Sequence, residues 1–187
     1  YSIGIDEAAF YGPKLDIQIK NVHGKEDTLI TIQIDMLLAK KFGMEYTDSN
    51  DKRVTPYIIH RTSLGCYERT LALVLEKYAG ALPLWMAPEQ VRVLPIGVEH
   101  EEYAKSVRER LEAAGIRTEV DARNEKIGYK IRQAQLEKVP YMLVVGEKEA
   151  AEGKVAVRNR GGVDLGAVSV DEFLLKALEE VRTLKLD

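Results

Sequence analysis

The stretch NEKIGYKIRQAQLEKVPYMLVVG, residues 124–146, joins a helical pattern to an apolar strand and indicates how the second half of the chain folds. Residues 124–138 have the spacing of a helix, with Asn124 as the expected N-cap. Residues 141–146 are a fully apolar strand that a glycine closes. A helix followed directly by such a strand is typical of an α/β domain.

The residues on either side continue this alternation. The patterns predict strands over 91–96 and 116–120, an amphipathic helix over 99–115, a hairpin over 153–160 and 163–169, and a final helix over 170–184. This order implies a mixed, mostly parallel sheet. Residues 80–90 contain two prolines and no clear period, and they predict a linker between a domain at 1–84 and a domain at 85–187.

The first domain has a different pattern, which predicts an antiparallel sheet. Residues 14–36 form a predicted hairpin, 55–60 a third strand and 68–79 a helix with a wide buried face; 37–43 are expected to form a short helix and 47–53 a polar loop or hairpin tip. The fold class is therefore α/β with an α+β first part. If strands in this part lack neighbours, their exposed edges invite pairing with another copy.

Composition excludes several classes of protein. The 187 residues have a net charge of −3, with 45% hydrophobic and 30% charged residues, which argues against disorder and against indiscriminate nucleic-acid binding. No apolar run approaches the roughly 20 residues that cross a bilayer, so no membrane partner is expected. The single cysteine, Cys66, fits a reducing cytoplasm. The chain begins at Tyr1 on strand-like sequence, and we expect it to be a piece of a longer protein.

Charged residues stand at an unusual place between the third strand and the following helix. Arg69 has five donors suited to an anionic ligand, Glu68 is a possible orienting partner, and Gly65 would allow a flat group close to the backbone. The alternative is a surface ion pair at a helix start, which the physics alone favours. His60 is equally open, because a lone strand histidine is more often structural than a metal ligand, and the other histidines and Cys66 complete no plausible zinc set.

Polar residues also interrupt the apolar pattern nearer the N-terminus. Tyr11 and Lys14 flank a Gly-Pro turn, where they either face a polar pocket or simply anchor the turn. Gln33 and Asp35 share one face of an isoleucine-rich strand, where polar groups need hydrogen-bond partners or a ligand. These residues raise the expectation of a site without naming a substrate.

Basic residues of the second domain have two interpretations. Lys126 and Lys130 share a helix face, and Arg158 and Arg160 alternate along a strand. Such groups either read phosphates and exposed base edges or form a solvated basic face that neighbouring glutamates dilute.

Four sequence strings, read together, resemble one known family, and this resemblance decides between the alternatives above. AFYGPK (9–14), TIQID (31–35), IIHR…LG…ER (58–69) and RNEKIGYKIRQAQLEKVPYMLVVGEKE (123–149) occur in the order and spacing of the threonyl-tRNA synthetase family of class II aminoacyl-tRNA synthetases. The resemblance runs from about residue 3 to the end. It implies the later part of the antiparallel class II catalytic sheet, followed by the anticodon-binding domain.

The resemblance assigns roles in the catalytic part. LGCYERT looks like motif 3, in which Arg69 would contact ATP, and Cys66 lies where the family often has a serine near the nucleotide. Tyr11 and Lys14 match active-site positions, and Gln33 matches a position near the adenylate. His60 matches the third zinc ligand, and the zinc would hold the amino and hydroxyl groups of threonine and so reject valine.

The resemblance also assigns partners. Positions that contact anticodon nucleotides match Asn124, Arg132, Glu149 and Arg158. The implied partners of the parent enzyme are tRNA(Thr), threonine, ATP with Mg and zinc, and the implied assembly is a homodimer. The editing region, motifs 1 and 2 and two zinc ligands are missing, so we expect that this chain alone does not form threonyl-adenylate. The alternative is a stand-alone tRNA-binding or regulatory module derived from a synthetase. A third hypothesis, a small-molecule enzyme on the α/β domain, is disfavoured because the sequence has no Gly-rich phosphate loop and no nucleophile constellation.

Overall fold

The structure is a computed structural model that describes residues 1–186. The chain divides into two compact units, Tyr1–Lys77 and Tyr78–Asp187, which we call the first and second unit and describe separately. None of the described helices combines the length and apolar character needed to cross a membrane.

The first unit is built on an antiparallel sheet, as predicted. Its elements are β1 (Lys14–Lys20), β2 (Glu26–Asp35), α1 (Leu38–Lys41), β3 (Tyr46–Thr47), β4 (Arg53–Val54), β5 (Ile58–Arg61) and α2 (Tyr67–Tyr78). β2 is the central strand and pairs antiparallel with β1 and with β5, while β3 and β4 form the predicted hairpin.

Little of the first unit is buried. Among residues 1–77, all of which the structure describes, only Asp35 and Ala39 are fully buried. The prediction of a wide buried face on the helix at 68–79 is wrong, because α2 has no buried residue and Leu71 is 56% exposed. Its apolar side meets no second layer of side chains within the unit.

The second unit is a mixed α/β domain. Its elements are β6 (Val91–Pro95), a 3₁₀ turn (Val98–His100), α3 (Glu101–Ala113), β7 (Thr118–Val120), α4 (Ile127–Leu136), β8 (Tyr141–Val145), α5 (Glu147–Glu152), β9 (Lys154–Asn159), β10 (Asp164–Ser169) and α6 (Val170–Arg182). The strand order is β10-β9-β8-β6-β7. β6 runs parallel to β7 and β8, and the β9–β10 hairpin completes the sheet in antiparallel pairing. The predicted mixed, mostly parallel sheet is confirmed.

Helices cover both faces of this sheet. On one face α3 and α6 pack on alternate residues of the strands, with Phe173 and Leu111 among the largest fully buried side chains. On the other face α4 covers Leu94, Met142 and Val144. Burial on both faces explains why the strand at 141–145 is apolar throughout.

Three details differ from the sequence predictions. α4 begins later than predicted, and Lys126 rather than Asn124 occupies its N-cap, without a side-chain hydrogen bond. α5 was not predicted. Lys130 does not belong to a solvated face, because its side chain is buried and its Nζ donates to the carbonyl of Pro95 at 2.9 Å.

The segment 79–87 lacks helix and strand, yet four side chains of the second unit hold its backbone. Lys138 donates to the carbonyl of Ala79, Arg160 to Leu82, Gln90 to Leu84, and Arg117 to Trp85 and Ala87. The buried Gln90 also accepts from the Arg117 backbone N–H at 2.8 Å. We call residues 79–87 the strap. It is fixed to the second unit by side chains instead of by a strand ladder.

Candidate functional site

Residues from three strands of the first unit form one row across its sheet. In the register of the sheet Lys14 lies opposite Gln33, and Gln33 lies opposite His60. Directly opposed residues point to the same face, so an ammonium, an amide and an imidazole stand side by side. Three residues that the sequence singled out separately are therefore brought together.

Tyr11 joins this row from the loop before β1. Its hydroxyl donates to Oε1 of Gln33 at 3.0 Å, and its ring meets the His60 ring edge-on, with 6.2 Å between centroids. The loop can lie this close because a Cβ on Gly12 would overlap the carbonyl oxygen of Ile34. Glycine at this position thus places the phenol beside β2.

Asp35 holds the histidine at the end of the row. Its carboxylate lies 3.0 Å from Nε2 of His60 and accepts from the backbone N–H groups of Leu37 and Leu38, both at 2.9 Å. Burial acts to raise the pKa of Asp35, but the N–H of Leu38 and the His60 ring outweigh it, so the pKa is lowered. Asp35 therefore fixes His60 and the start of α1 together.

The residues that the structure describes do not make a zinc site by themselves. His60 is engaged by Asp35, and among residues 1–186 no group of three or more histidine, cysteine, aspartate or glutamate side chains is placed to hold a metal ion. Zinc sites in proteins have about four ligands, of which histidine and cysteine are the usual ones. His60 can contribute one ligand, and the others do not come from the described residues.

Lys14 is partly engaged on the same face. Its Nζ lies 2.6 Å from a carboxylate oxygen of Asp16, which also accepts from the Thr31 hydroxyl at 2.8 Å. The hydrogen bond from Lys14 lowers the pKa of Asp16, against a smaller opposing effect of burial. The ammonium is thus oriented by Asp16, with one third of its side chain still exposed.

Arg69 and Cys66 lie outside the row. Arg69 donates from Nη1 to the carbonyl of Thr28 at 3.3 Å, at the opposite end of β2 from Gln33. Glu68 is not its orienting partner, because it accepts from Sγ of Cys66 at 2.9 Å, and this bond lowers the pKa of Glu68. The structure therefore gives Arg69 a backbone anchor and no ion pair with Glu68.

Gly65 also differs from its expected use. Its φ is +64°, and a Cβ there would lie 2.6 Å from the carbonyl oxygen of Leu29. What approaches Gly65 closely in the structure is therefore the backbone of β2. The glycine allows the turn before α2 to pack on the sheet.

In the second unit, Glu149 lies just after the end of β8. Its carboxylate accepts from the backbone N–H of Gly146 at 3.1 Å and closes the first turn of α5. Ile96, half-exposed at the neighbouring end of β6, lies against Gly146, where a Cβ would come within 2.7 Å of its Cδ1. Open α/β sheets commonly bind ligands at this edge, where parallel strands end.

Arg158 lies near the end of β9, on the face of the sheet that α4 covers. Residues alternate along a strand, and Ala156, two positions before Arg158, packs against the α4 side. Arg158 donates from Nη2 to Oδ2 of Asp164 at 2.8 Å. Arg160 does not share a free basic face with it, because Arg160 holds the strap.

Asn124 precedes α4 and Arg132 lies within it; both are exposed. Within residues 1–186, no hydrogen bond or ion pair joins Asn124, Arg132, Glu149 and Arg158 to one another. Asn124 and Glu149 follow the carboxyl ends of parallel strands, whereas Arg158 pairs with Met142 near the opposite end of β8, so the four residues form no preassembled cluster. This arrangement suits contacts to several separate groups of an extended ligand.

Two residues that the sequence patterns did not single out, Asp164 and Ile96, lie beside these candidate positions. Asp164 lies two residues beyond the glycine turn of the predicted hairpin and pairs with Arg158 across the sheet. Ile96 is the last residue of the strand predicted over 91–96. An apolar side chain just before a glycine at the carboxyl end of a strand was the available signal for it.

Both units match known domain families. Residues 2–78 match the family model of the tRNA synthetase class II core domain (G, H, P, S and T), and residues 90–180 match that of the anticodon binding domain. The two matches fall in the two units that the structure separates.

Similar proteins carry one name. A threonine–tRNA ligase of Clostridium botulinum is 60% identical over 95% of this chain, and threonine–tRNA ligase 1 of Bacillus subtilis is 50% identical over 94%. The chain spans about 28% of the length of these curated relatives. The crystal structure of the RNA binding domain of threonyl-tRNA synthetase from Cryptosporidium parvum superimposes with a TM-score of 0.83 and 38% identity, over 92% of this chain and 44% of that one. With both of its domains and its relatives in agreement, the chain belongs to the class II tRNA synthetases and, within them, to the threonyl-tRNA synthetase family.

Proposed function

We propose that the chain is part of a threonine–tRNA ligase, which activates threonine with ATP and transfers it to tRNA(Thr). In this proposal residues 1–84 belong to the catalytic domain and residues 85–187 form the anticodon-binding domain. The observation that carries it is the row of Lys14, Gln33 and His60 with Tyr11 bonded to it. The activity is proposed for the complete ligase, to which this chain contributes these side chains.

The row has the chemistry that recognition of a small polar amino acid needs. A phenol, an amide and an imidazole offer donors and acceptors for an ammonium group and a hydroxyl group. A site built to hydrogen-bond a hydroxyl rejects an isostere without one far better than an apolar pocket can, because the buried polar groups would be left unpaired. We propose that Tyr11, Gln33 and His60 contact threonine or its adenylate. Zinc, which would add a Lewis acid for the amino and hydroxyl groups, needs further ligands beside His60.

Arg69 is proposed to contact ATP, which the class II family uses with Mg. Activation transfers negative charge onto phosphate oxygens, and a guanidinium can neutralise that charge without losing its proton. Within residues 1–186 a single hydrogen bond engages Arg69, so most of its five donors stay available. Lys14 is proposed to act on the same substrates, and Cys66 to lie beside the nucleotide.

The second unit is proposed to bind the anticodon loop of tRNA(Thr) through Asn124, Arg132, Glu149 and Arg158. Single-stranded loops expose base edges, which amide, carboxylate and guanidinium groups read by hydrogen bonds. Three observations support this proposal: Asn124 and Arg132 are exposed, and Arg158 keeps free donors beyond its contact with Asp164. We also propose that the complete ligase is a cytoplasmic homodimer.

The test is binding of this chain to an anticodon stem-loop of threonine tRNA and to a loop with a changed anticodon, at physiological salt. We expect the native loop to bind more tightly. Arg158→Ala should remove about 1–3 kcal/mol of binding free energy from the native loop and most of the discrimination. Arg182→Ala, which removes an equal charge from an exposed pair on α6, is the matched control and should preserve discrimination. Equal binding of the two loops by the unmodified chain would contradict the proposal.

A further inference from the structure

The β9–β10 hairpin carries a bulge that fixes an acidic residue beside Arg158. In the register Asp164 lies opposite Arg158, and the next pair is Gly166 with Val157, so Leu165 is an extra residue. Gly166 has φ of +88°, a value that side chains other than glycine rarely adopt. The backbone is therefore shaped to hold Asp164 at this position.

Each carboxylate oxygen of Asp164 has its own donor. Oδ1 accepts from the backbone N–H of Gly166 at 2.9 Å, and Oδ2 accepts from Nη2 of Arg158 at 2.8 Å. The bulge thus fixes the carboxylate, and the carboxylate fixes one edge of the guanidinium. The remaining donors of Arg158 stay available, because its side chain is one third exposed.

Stability alone does not account for this arrangement. Asp164 is about half exposed, and ion pairs at that exposure contribute little to folding. A free arginine side chain, in contrast, samples many rotamers, and ordering it on binding opposes affinity. An ion-pair partner that already holds one edge of the guanidinium reduces the side-chain entropy that is lost on binding.

We infer that Asp164 is a positioning residue for Arg158, and that it turns the free edge of the guanidinium towards a base of the anticodon loop instead of the phosphate backbone. The inference rests on the proposed function of the second unit. It makes Asp164 a determinant of specificity that does not itself need to touch RNA.

Replacing Asp164 should have opposite effects on RNA binding, depending on whether the residue acts only through its charge or by positioning Arg158. A carboxylate near RNA repels phosphates, so its removal by charge alone should strengthen binding of every loop equally. Loss of positioning should weaken the native loop relative to the changed loop. The ratio of the two dissociation constants separates these effects.

The experiment measures that ratio for the 187-residue chain and the variants Asp164→Ala, Asp164→Asn and Glu179→Gln. We expect Asp164→Ala to lower discrimination about tenfold, with binding of the changed loop unchanged or tighter. Asp164→Asn keeps an oxygen for Gly166 and should retain more of the discrimination. Glu179→Gln removes an equal charge from α6 and should shift both loops alike.

A second readout follows Arg158 directly. Nitrogen relaxation of its side chain should show greater motion in Asp164→Ala than in the unmodified chain, without RNA present. In the Arg158→Ala background, Asp164→Ala should lower discrimination no further, because both act through one guanidinium.

The possible outcomes are distinct. If the unmodified chain discriminates and Asp164→Ala discriminates as well as it does, the positioning inference is overturned and the proposed function stands. If the unmodified chain does not discriminate, the proposed function fails and the inference fails with it. Unchanged motion of Arg158 in Asp164→Ala also overturns the inference, whatever the binding result.

Discussion

The two units contain similar amphipathic patterns but bury them very differently. In the second unit α3 and α6 cover one face of a five-stranded sheet and α4 covers the other. In the first unit a three-stranded sheet and α2 leave nearly all their apolar side chains half-buried or exposed. The difference teaches that a pattern of apolar residues predicts which face of a helix or strand can be buried. Whether that face is buried depends on a second layer of helices or strands that packs against it.

The contrast also separates two kinds of site. The row in the first unit is held by local hydrogen bonds, above all those of the buried Asp35. The residues of the second unit stand on elements that a packed core already fixes. Arg158 therefore needs only one further contact, with Asp164, to be oriented.

The largest expected effect tests the core of the second unit. Phe173 is 1% exposed and its ring packs edge-on against Tyr141, with 5.5 Å between centroids. Phe173→Ala should lower the free energy of unfolding by about 3–5 kcal/mol, through lost burial and a cavity. Chemical denaturation followed by the fluorescence of Trp85, the single tryptophan, reports on this unit.

Leu175→Ala, on the same helix but 71% exposed, is the matched control and should cost under about 0.5 kcal/mol. Similar losses for the two variants would show that α6 does not pack as described, and the comparison between the units would fail.

A smaller effect is expected from pH. The Arg123 guanidinium, at 2.8 and 2.6 Å from the two oxygens of Asp121, lowers the pKa of this buried carboxyl, and burial opposes it. A depressed pKa stabilises the fold above the unfolded value of about 3.9 and ceases to do so as pH falls through the folded pKa. The advantage of the unmodified chain over Asp121→Asn should therefore be full at pH 7 and shrink below about pH 4.

Urea unfolding of the two proteins at a series of pH values, again followed by Trp85, measures this. Glu125→Gln, an exposed neighbour, controls for the change in net charge. An advantage that stays constant down to pH 2 would mean that the Arg123 contact does not stabilise the ionised carboxyl.

The smallest effect is expected in the first unit. Leu71→Ser on α2 should change stability by no more than about 0.5 kcal/mol, since the side chain is already more exposed than buried. Amide hydrogen exchange in the β1–β2 ladder measures it. Ala39→Leu, at the buried apolar position of the unit, should by contrast cost about 1–3 kcal/mol by overpacking. A large loss for Leu71→Ser would reveal a layer over α2 and remove the contrast between the units.

Much of the architecture could be predicted because each element carries its period locally. The apolar run at 141–146 and the alternation at 14–20 both correspond to strands. α5 was missed because six polar and small residues give no amphipathic signal, and its cap is the side chain of Glu149 on Gly146. Asn124 is not the N-cap, because α4 begins at Ile127 and its N-cap is Lys126.

The sequence singled out the residues of the row one by one, but it did not predict that they lie side by side. Motif strings pointed to Lys14, Gln33 and His60, yet their alignment depends on strand register, including a bulge between Ile17 and Gln18. For Lys130 the sequence pattern was misleading. Its spacing from Lys126 predicted a shared exposed face, but its ammonium donates to the carbonyl of Pro95 and its side chain is buried.

The strap has a practical consequence for where the second unit can be cut from its neighbour. The family match begins at residue 90, but the acceptors of Lys138, Arg160 and Arg117 all lie before that residue. A protein shortened to residue 90 would remove the carbonyls that these three cations now bind, and would remove Leu84 from the core. The smallest self-sufficient version of this module therefore starts near residue 78, about one dozen residues ahead of its recognisable sequence signature.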